Sequence, residues 1–196
     1  NYPEAYMLLG EKYSKSMPDK AALNYKKAAK IVNNKNFEAA MDEYIASAYL
    51  KNGNVISAAK YYSNPTLVKY NLTTNILLAN ILQTLGRYDE SIAILDKFEQ
   101  NDFSVLASAE PDMFSRLRME FLYNILSSFD DGEYAKNMIL HAKAIVYYEK
   151  GDYLNSLKCL NELTKVSNQI PVSLYLRIYS AMGDLKNAEK YYGVLN

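Results

Sequence analysis

His141 and Cys159 are the side chains best suited to nucleophilic or metal chemistry at neutral pH, and each type occurs once in this 196-residue chain. Zinc needs several imidazole or thiolate donors at short spacing, and neither a His-x-x-x-His pair nor a second cysteine is present. A lone cysteine also excludes an intramolecular disulfide. A Cys–His catalytic pair needs the two side by side, and nothing in the sequence brings them together. The stretch FDDGEY, residues 129–134, lacks the alternating oxygen ligands and final glutamate of a calcium loop. The seven glycines do not cluster, so there is no phosphate-cradling loop. No pair of carboxylates is singled out for acid–base work. The sequence therefore predicts no enzyme, no cofactor and no metal, and leaves His141 as a surface or groove residue and Cys159 as a packing residue.

Tyrosine is the conspicuous excess, with 19 residues including the doublets Tyr61–Tyr62, Tyr147–Tyr148 and Tyr191–Tyr192. One ring of each doublet is expected to pack between helices with its hydroxyl near solvent. The other reading is an aromatic binding surface, since tyrosine is enriched at interface hot spots. Basic and acidic residues number 22 each, which argues against a nucleic-acid partner. The most basic segment, Lys12 to Lys35, holds seven lysines against Asp19. It reads as a solvated helix face, or as a surface for an acidic partner or membrane. No apolar run is long enough to span a bilayer.

These residues must be carried by elements, and four glycines reveal them. Gly53, Gly86, Gly151 and Gly183 each follow an apolar stretch, at spacings of 33, 65 and 32. Five residues after each stands a small residue: Ala58, Ser91, Ser156 and Ala188. Nine after stands a large one: Tyr62, Leu95, Leu160 and Tyr192. Four before stand Tyr49, Leu82, Tyr147 and Tyr179, and two after stand Val55, Tyr88, Tyr153 and Leu185. Seven before stand Ala46, Ala79 and Ala144, with Leu176 as the misfit. The reading is a helix, a glycine turn and a second helix, with small residues at the crossing. Asp152 and Asp184 follow their glycines, where a carboxylate caps the next helix.

This pattern resembles the tetratricopeptide repeat (TPR) family, whose period is 34 residues. The resemblance implies an all-α fold, an α-solenoid of antiparallel helix pairs wound as a right-handed superhelix. It further implies about five to six repeats, with the first helix of each pair lining an inner groove. One domain over 1–196 is expected, with repeats at 3–33, 37–64, 68–99, 100–132, 133–166 and 171–193. The repeat at 100–132 is degenerate, and the first pair has Met17 in the turn-glycine slot and Gly10 in the small slot. Helices are predicted over 3–15, 19–33, 37–51, 55–63, 68–85, 88–99, 111–128, 133–149, 153–166, 171–182 and 185–193. The chain starts at Asn1, which reads as a fragment of a longer protein.

By register, the resemblance places Glu43, Tyr44 and Ser47 in the groove, then Ile76, Leu77, Asn80 and Gln83. It adds His141, Ala142, Ile145 and Tyr148, then Ser173, Leu174, Arg177 and Ser180. Tyr44, Asn80, Gln83, His141, Tyr148 and Arg177 are the chosen partner-binding candidates. The set lacks the basic residues of a clamp for a peptide carboxylate, so a peptide or helix with apolar anchors fits better. The expected function is a scaffold or adaptor segment that binds another protein in its groove or along its edges. The alternative is a spacer, or a segment that self-associates through uncapped ends. A soluble, cytoplasmic location is favoured, and a removed signal would leave the periplasm or another compartment open.

Overall fold

Helices that end on glycine must release their last carbonyls to the turn, and the computed structural model shows that arrangement at all four glycines. It describes residues 2–70, 72–99, 133–166 and 171–195. Among these the regular structure is all α-helix. Pro3–Ser14 (α1), Pro18–Val32 (α2), Lys35–Lys51 (α3), Val55–Tyr62 (α4), Pro65–Tyr70 (α5), Leu72–Thr84 (α6) and Tyr88–Glu99 (α7) come first. Glu133–Lys150 (α8), Tyr153–Val166 (α9), Val172–Ala181 (α10) and Leu185–Leu195 (α11) follow. The expected helix at 111–128 and the degenerate repeat at 100–132 lie outside the described residues.

Gly53, Gly86, Gly151 and Gly183 have φ of 76°, 72°, 83° and 73°, the left-handed region that glycine enters freely. Each glycine N–H bonds the carbonyl three residues back, at 2.9–3.1 Å. The next N–H reaches the carbonyl five back, on Tyr49, Leu82, Tyr147 and Tyr179, at 2.8–2.9 Å. This double closure satisfies the helix end and turns the chain back on itself. The residue after the glycine then starts the second helix. Asn54 accepts from the Ser57 N–H at 3.0 Å, while Asp152 and Asp184 accept from the Asn155 and Asn187 N–H groups at 3.2 Å. Asn33, at φ 51°, ends α2 by the simpler left-handed cap.

One helix expected over 68–85 is instead α5 and α6. Pro65 fits a first helical turn and starts α5 early, with the Asn64 side chain accepting from the Thr66 N–H at 2.9 Å. Asn75 then donates its side-chain N–H to the Val68 carbonyl at 2.7 Å. A continuous helix would hold those residues about 10 Å apart along its axis.

The described chain divides into two compact units, one running to Ile81 and the other starting at Leu82. In the first, α1 packs on α2, α2 on α3, and α3 on α4 and α5. Ala21, Ala28, Ile45, Ala46 and Ala58 are fully buried there. The Tyr49 hydroxyl donates to the Asp19 carboxylate at 2.7 Å, tying α3 to α2. Asn52 donates to the Ser14 carbonyl at 2.9 Å and the Ala48 carbonyl at 2.7 Å, which sets the C-terminal ends of α1 and α3 side by side.

In the second unit, α8 packs on α7 and α9, α9 on α10, and α10 on α11. Leu140, Ala144, Cys159, Leu160, Leu163, Leu174, Tyr175 and Ile178 make one core. At the α8–α9 crossing the Ser156 hydroxyl donates to the Ala144 carbonyl at 2.6 Å, so the two small slots touch. Lys150 pairs with Asp89 and Lys143 with Asp96, joining α8 to α7.

Two predictions follow from this packing. At Gly151 an added Cβ meets nothing within 4 Å, so Gly151→Ala should cost only the left-handed backbone penalty, about 1–2 kcal/mol. Gly151→Asn should cost less. At Gly10 the Cβ would come within 2.6 Å of the buried Tyr25 ring, so Gly10→Ala should cost about 1–3 kcal/mol through overpacking instead. Urea midpoints of the three variants measure this, and a neutral Gly10→Ala would refute the close contact. The second concerns alkaline pH. Burial pushes the Tyr25 and Tyr49 hydroxyls up from 10.0 to about 12, with Glu11 and Tyr44 adding to the first and Asp19 to the second. Between those values the unfolded chain has lost protons that the folded chain keeps, so stability is level below pH 10 and falls as pH rises toward 12. Tyr25→Phe should flatten that fall, read from urea midpoints across pH 8 to 11.5.

Candidate functional site

A groove forms where two first helices lie side by side over a second one. In the first unit α1 and α3 make the walls, and Tyr25 of α2 makes the floor. Its volume is about 420 Å³. The α1 wall is one helical stripe, Glu4, Met7, Leu8, Glu11 and Ser14, at the three- and four-residue steps that share a helix face. The α3 wall is Tyr44, Ser47, Ala48 and Lys51. The Tyr44 ring stacks on the Tyr25 ring at 5.4 Å, with 18° between their planes. Leu8 is 66% exposed and lines the concavity, where its apolar surface is open to an incoming segment.

Among the six candidates, Tyr44 lies in this groove. Asn80 is exposed on α6, in the first unit, and Gln83 is half-buried in the second. His141 is exposed on α8, and partial desolvation holds its imidazole below the usual pKa. Tyr148 and Arg177 come together, with the guanidinium 4.5 Å above the ring centre. That is a cation–π contact between α8 and α10. Arg177 also reaches the Glu149 carboxylate at 3.4 Å. Tyr148 further meets Tyr153 in a tilted pair at 5.9 Å. Ala142 and Leu174, on the same register, are buried.

The α1 wall was missed because the groove offsets were counted only from the four glycines, although Met17 stands in the same slot. Counting back from Met17 as though it were the glycine gives Met7, Leu8, Glu11 and Ser14 at the slots used for the other pairs. All four line the groove. The arrangement offers aromatic and apolar contact with charged rims. Among the described residues no group of three or more His, Cys, Asp or Glu side chains is placed to hold a metal ion. Cys159 is buried and unbridged in the core of the second unit. No helix among the described residues is long and apolar enough to cross a membrane.

Comparison with known proteins agrees with the fold. Residues 72–102 match the family model described as tetratricopeptide repeat. Comparison with curated proteins gives no match. A solved structure of a Podosopora anserina kinesin-light-chain candidate with nearly identical TPR-like repeats is similar, at 14% identity. The match covers 98% of this chain and 94% of that one, with a TM-score of 0.59. Its Q17M variant matches at 13% identity, 98% and 93% coverage, and the same TM-score. A Pseudomonas aeruginosa pilF structure, at 17% identity over 96% of this chain and 88% of that one, has a TM-score of 0.38. The glycine-closed helix pairs, the match at 72–102 and the likeness to TPR-like structures make this chain a TPR-like helical-repeat protein in fold.

Proposed function

We propose that the chain is a non-enzymatic protein-interaction module whose groove between α1 and α3 holds a segment of another protein. Tetratricopeptide repeats generally serve as protein-interaction modules. The observation that carries the reading is the open concavity of about 420 Å³ floored by Tyr25, with the Tyr44 ring of the α3 wall stacked on it and exposed Leu8 at the lip. Rigid aromatic rings beside an exposed leucine are the anchors that peptide grooves use, because they give large contact area at small entropic cost. The Tyr148–Arg177 pair supports a secondary contact in the second unit, since a stacked guanidinium keeps free N–H donors for a partner.

Self-association is the second reading. It rests on Met182, Leu185 and Tyr192, which are 41%, 70% and 60% exposed on the last helix pair.

A photo-crosslinking amino acid placed at Tyr44 separates the two, with the same probe at exposed Leu23 of α2 as control. In extract of the source cells, the Tyr44 probe should form an adduct with a discrete partner protein. Leu8→Asp should reduce that adduct about tenfold or more, the loss of one apolar anchor, at unchanged helicity. Equal labelling from Leu23, or no adduct, would refute the groove. An adduct of the chain with itself would establish self-association.

A further inference from the structure

The groove has charge as well as shape. Glu4 and Glu11 stand seven residues apart on α1, two helical turns or about 10 Å, and they bracket Met7 and Leu8. Neither carboxylate has an ion pair among the described residues, and both are exposed. Lys51 is the single cation among the groove-lining residues. It stands at the end where Asn52 binds the Ser14 carbonyl, away from Glu4.

A segment seated on Met7, Leu8 and Tyr44 would cover the rims. Rim carboxylates that lose part of their water without gaining a partner disfavour binding, so an occupant that brings cations to Glu4 and Glu11 is favoured over a neutral or acidic one. A neutral or acidic segment would leave two unpaired charges at the edge of an apolar contact.

We infer that the groove selects a protein segment in which apolar anchors are flanked by lysine or arginine, with the basic groups set against Glu4 and Glu11. This deepens the proposed function and rests on it. It differs from a carboxylate-gripping clamp in sign, since the recognising charges here are acidic. Lys51 sets polarity: it repels a cation at the Ser14 end and favours basic groups toward Glu4.

The test is selection of a random dodecapeptide library, displayed on phage, against the immobilised full chain. Selected peptides are then titrated by fluorescence polarisation. They should be enriched in Lys and Arg beside apolar residues. The Glu4→Gln, Glu11→Gln double variant should weaken them about three- to tenfold, the range for two rim charge contacts, and lessen their salt dependence. Lys51→Gln should hold or improve affinity. Peptides that Leu8→Asp abolishes but the glutamine double variant leaves unchanged would overturn the charge inference while keeping the groove. Peptides untouched by Leu8→Asp, or a selection that enriches none, would overturn the groove itself and the inference with it. Light scattering that shows a dimer lost with Leu8→Asp would replace the basic segment with a second copy.

Discussion

Everything here depends on how closely two helices of a pair can cross. A close crossing needs small residues on both helices and a turn that fixes which residues meet. The glycine closure supplies the second condition, because its two hydrogen bonds set the turn the same way each time. The residue five after the glycine then faces the residue seven before it. Ser156 and Ala144 show the result, a hydroxyl on a backbone carbonyl at 2.6 Å with neither residue exposed. Ala46 and Ala58, both fully buried, hold the same slots in the first unit. Large side chains such as Leu160 and Tyr62 are buried beside the crossing and fill the space there.

That crossing also decides where a groove can form. A first helix buries one stripe against its second helix and leaves another stripe outward. On α1 the buried contact is Gly10 against the Tyr25 ring, and the outward stripe is Glu4, Met7, Leu8, Glu11 and Ser14. Tyr25 serves both sides. Its ring closes the contact at Gly10 and also forms the groove floor beneath Tyr44. The depth of the groove is therefore tied to a missing side chain at residue 10. A packing requirement and a binding surface meet on one ring.

The helix pairs were legible in the sequence because glycine columns report a backbone geometry that few other residues adopt. The capping roles of Asp152 and Asp184 were legible for the same reason, since capping chemistry is local. Two things were missed. The break between α5 and α6 rests on Asn75 reaching the Val68 carbonyl, a contact seven residues apart that no periodicity announces. The α1 wall was within reach of the register once Met17 stood in the turn-glycine slot, but "KSMPDK" turns the chain without a positive φ, through Met17 at φ −138° and Pro18, and the groove offsets were counted from glycines alone. Tyr192 shows the limit of column reasoning in the other direction. It occupies the slot that buries Tyr62, Leu95 and Leu160, yet is 60% exposed. Its neighbour Tyr191 takes the inward place, stacked on Tyr175 at 4.6 Å.

Net charge was the weakest guide, because it averages over surfaces that act separately. The chain is neutral overall, yet charges of both signs are used within the first unit, as in the Tyr49–Asp19 and Asn64–Asp42 hydrogen bonds. Lys20, Lys26, Lys27 and Lys60 lie over aromatic rings. Lys27 lies 5.5 Å from the Tyr6 ring centre, Lys20 5.6 Å from Tyr13, and Lys26 and Lys60 share Tyr61 at 5.0 and 5.9 Å. Each such contact is worth about 0.5–1 kcal/mol at an exposed site and spreads the lysine stem over an aromatic face. The lysine-rich stretch from Lys12 to Lys35 and the tyrosine excess are thus partly one feature. Glu4 and Glu11 have no such use among the described residues. They stand on the rim of the concavity that holds exposed Leu8 and the stacked Tyr25 and Tyr44 rings, where an incoming surface would meet their charge.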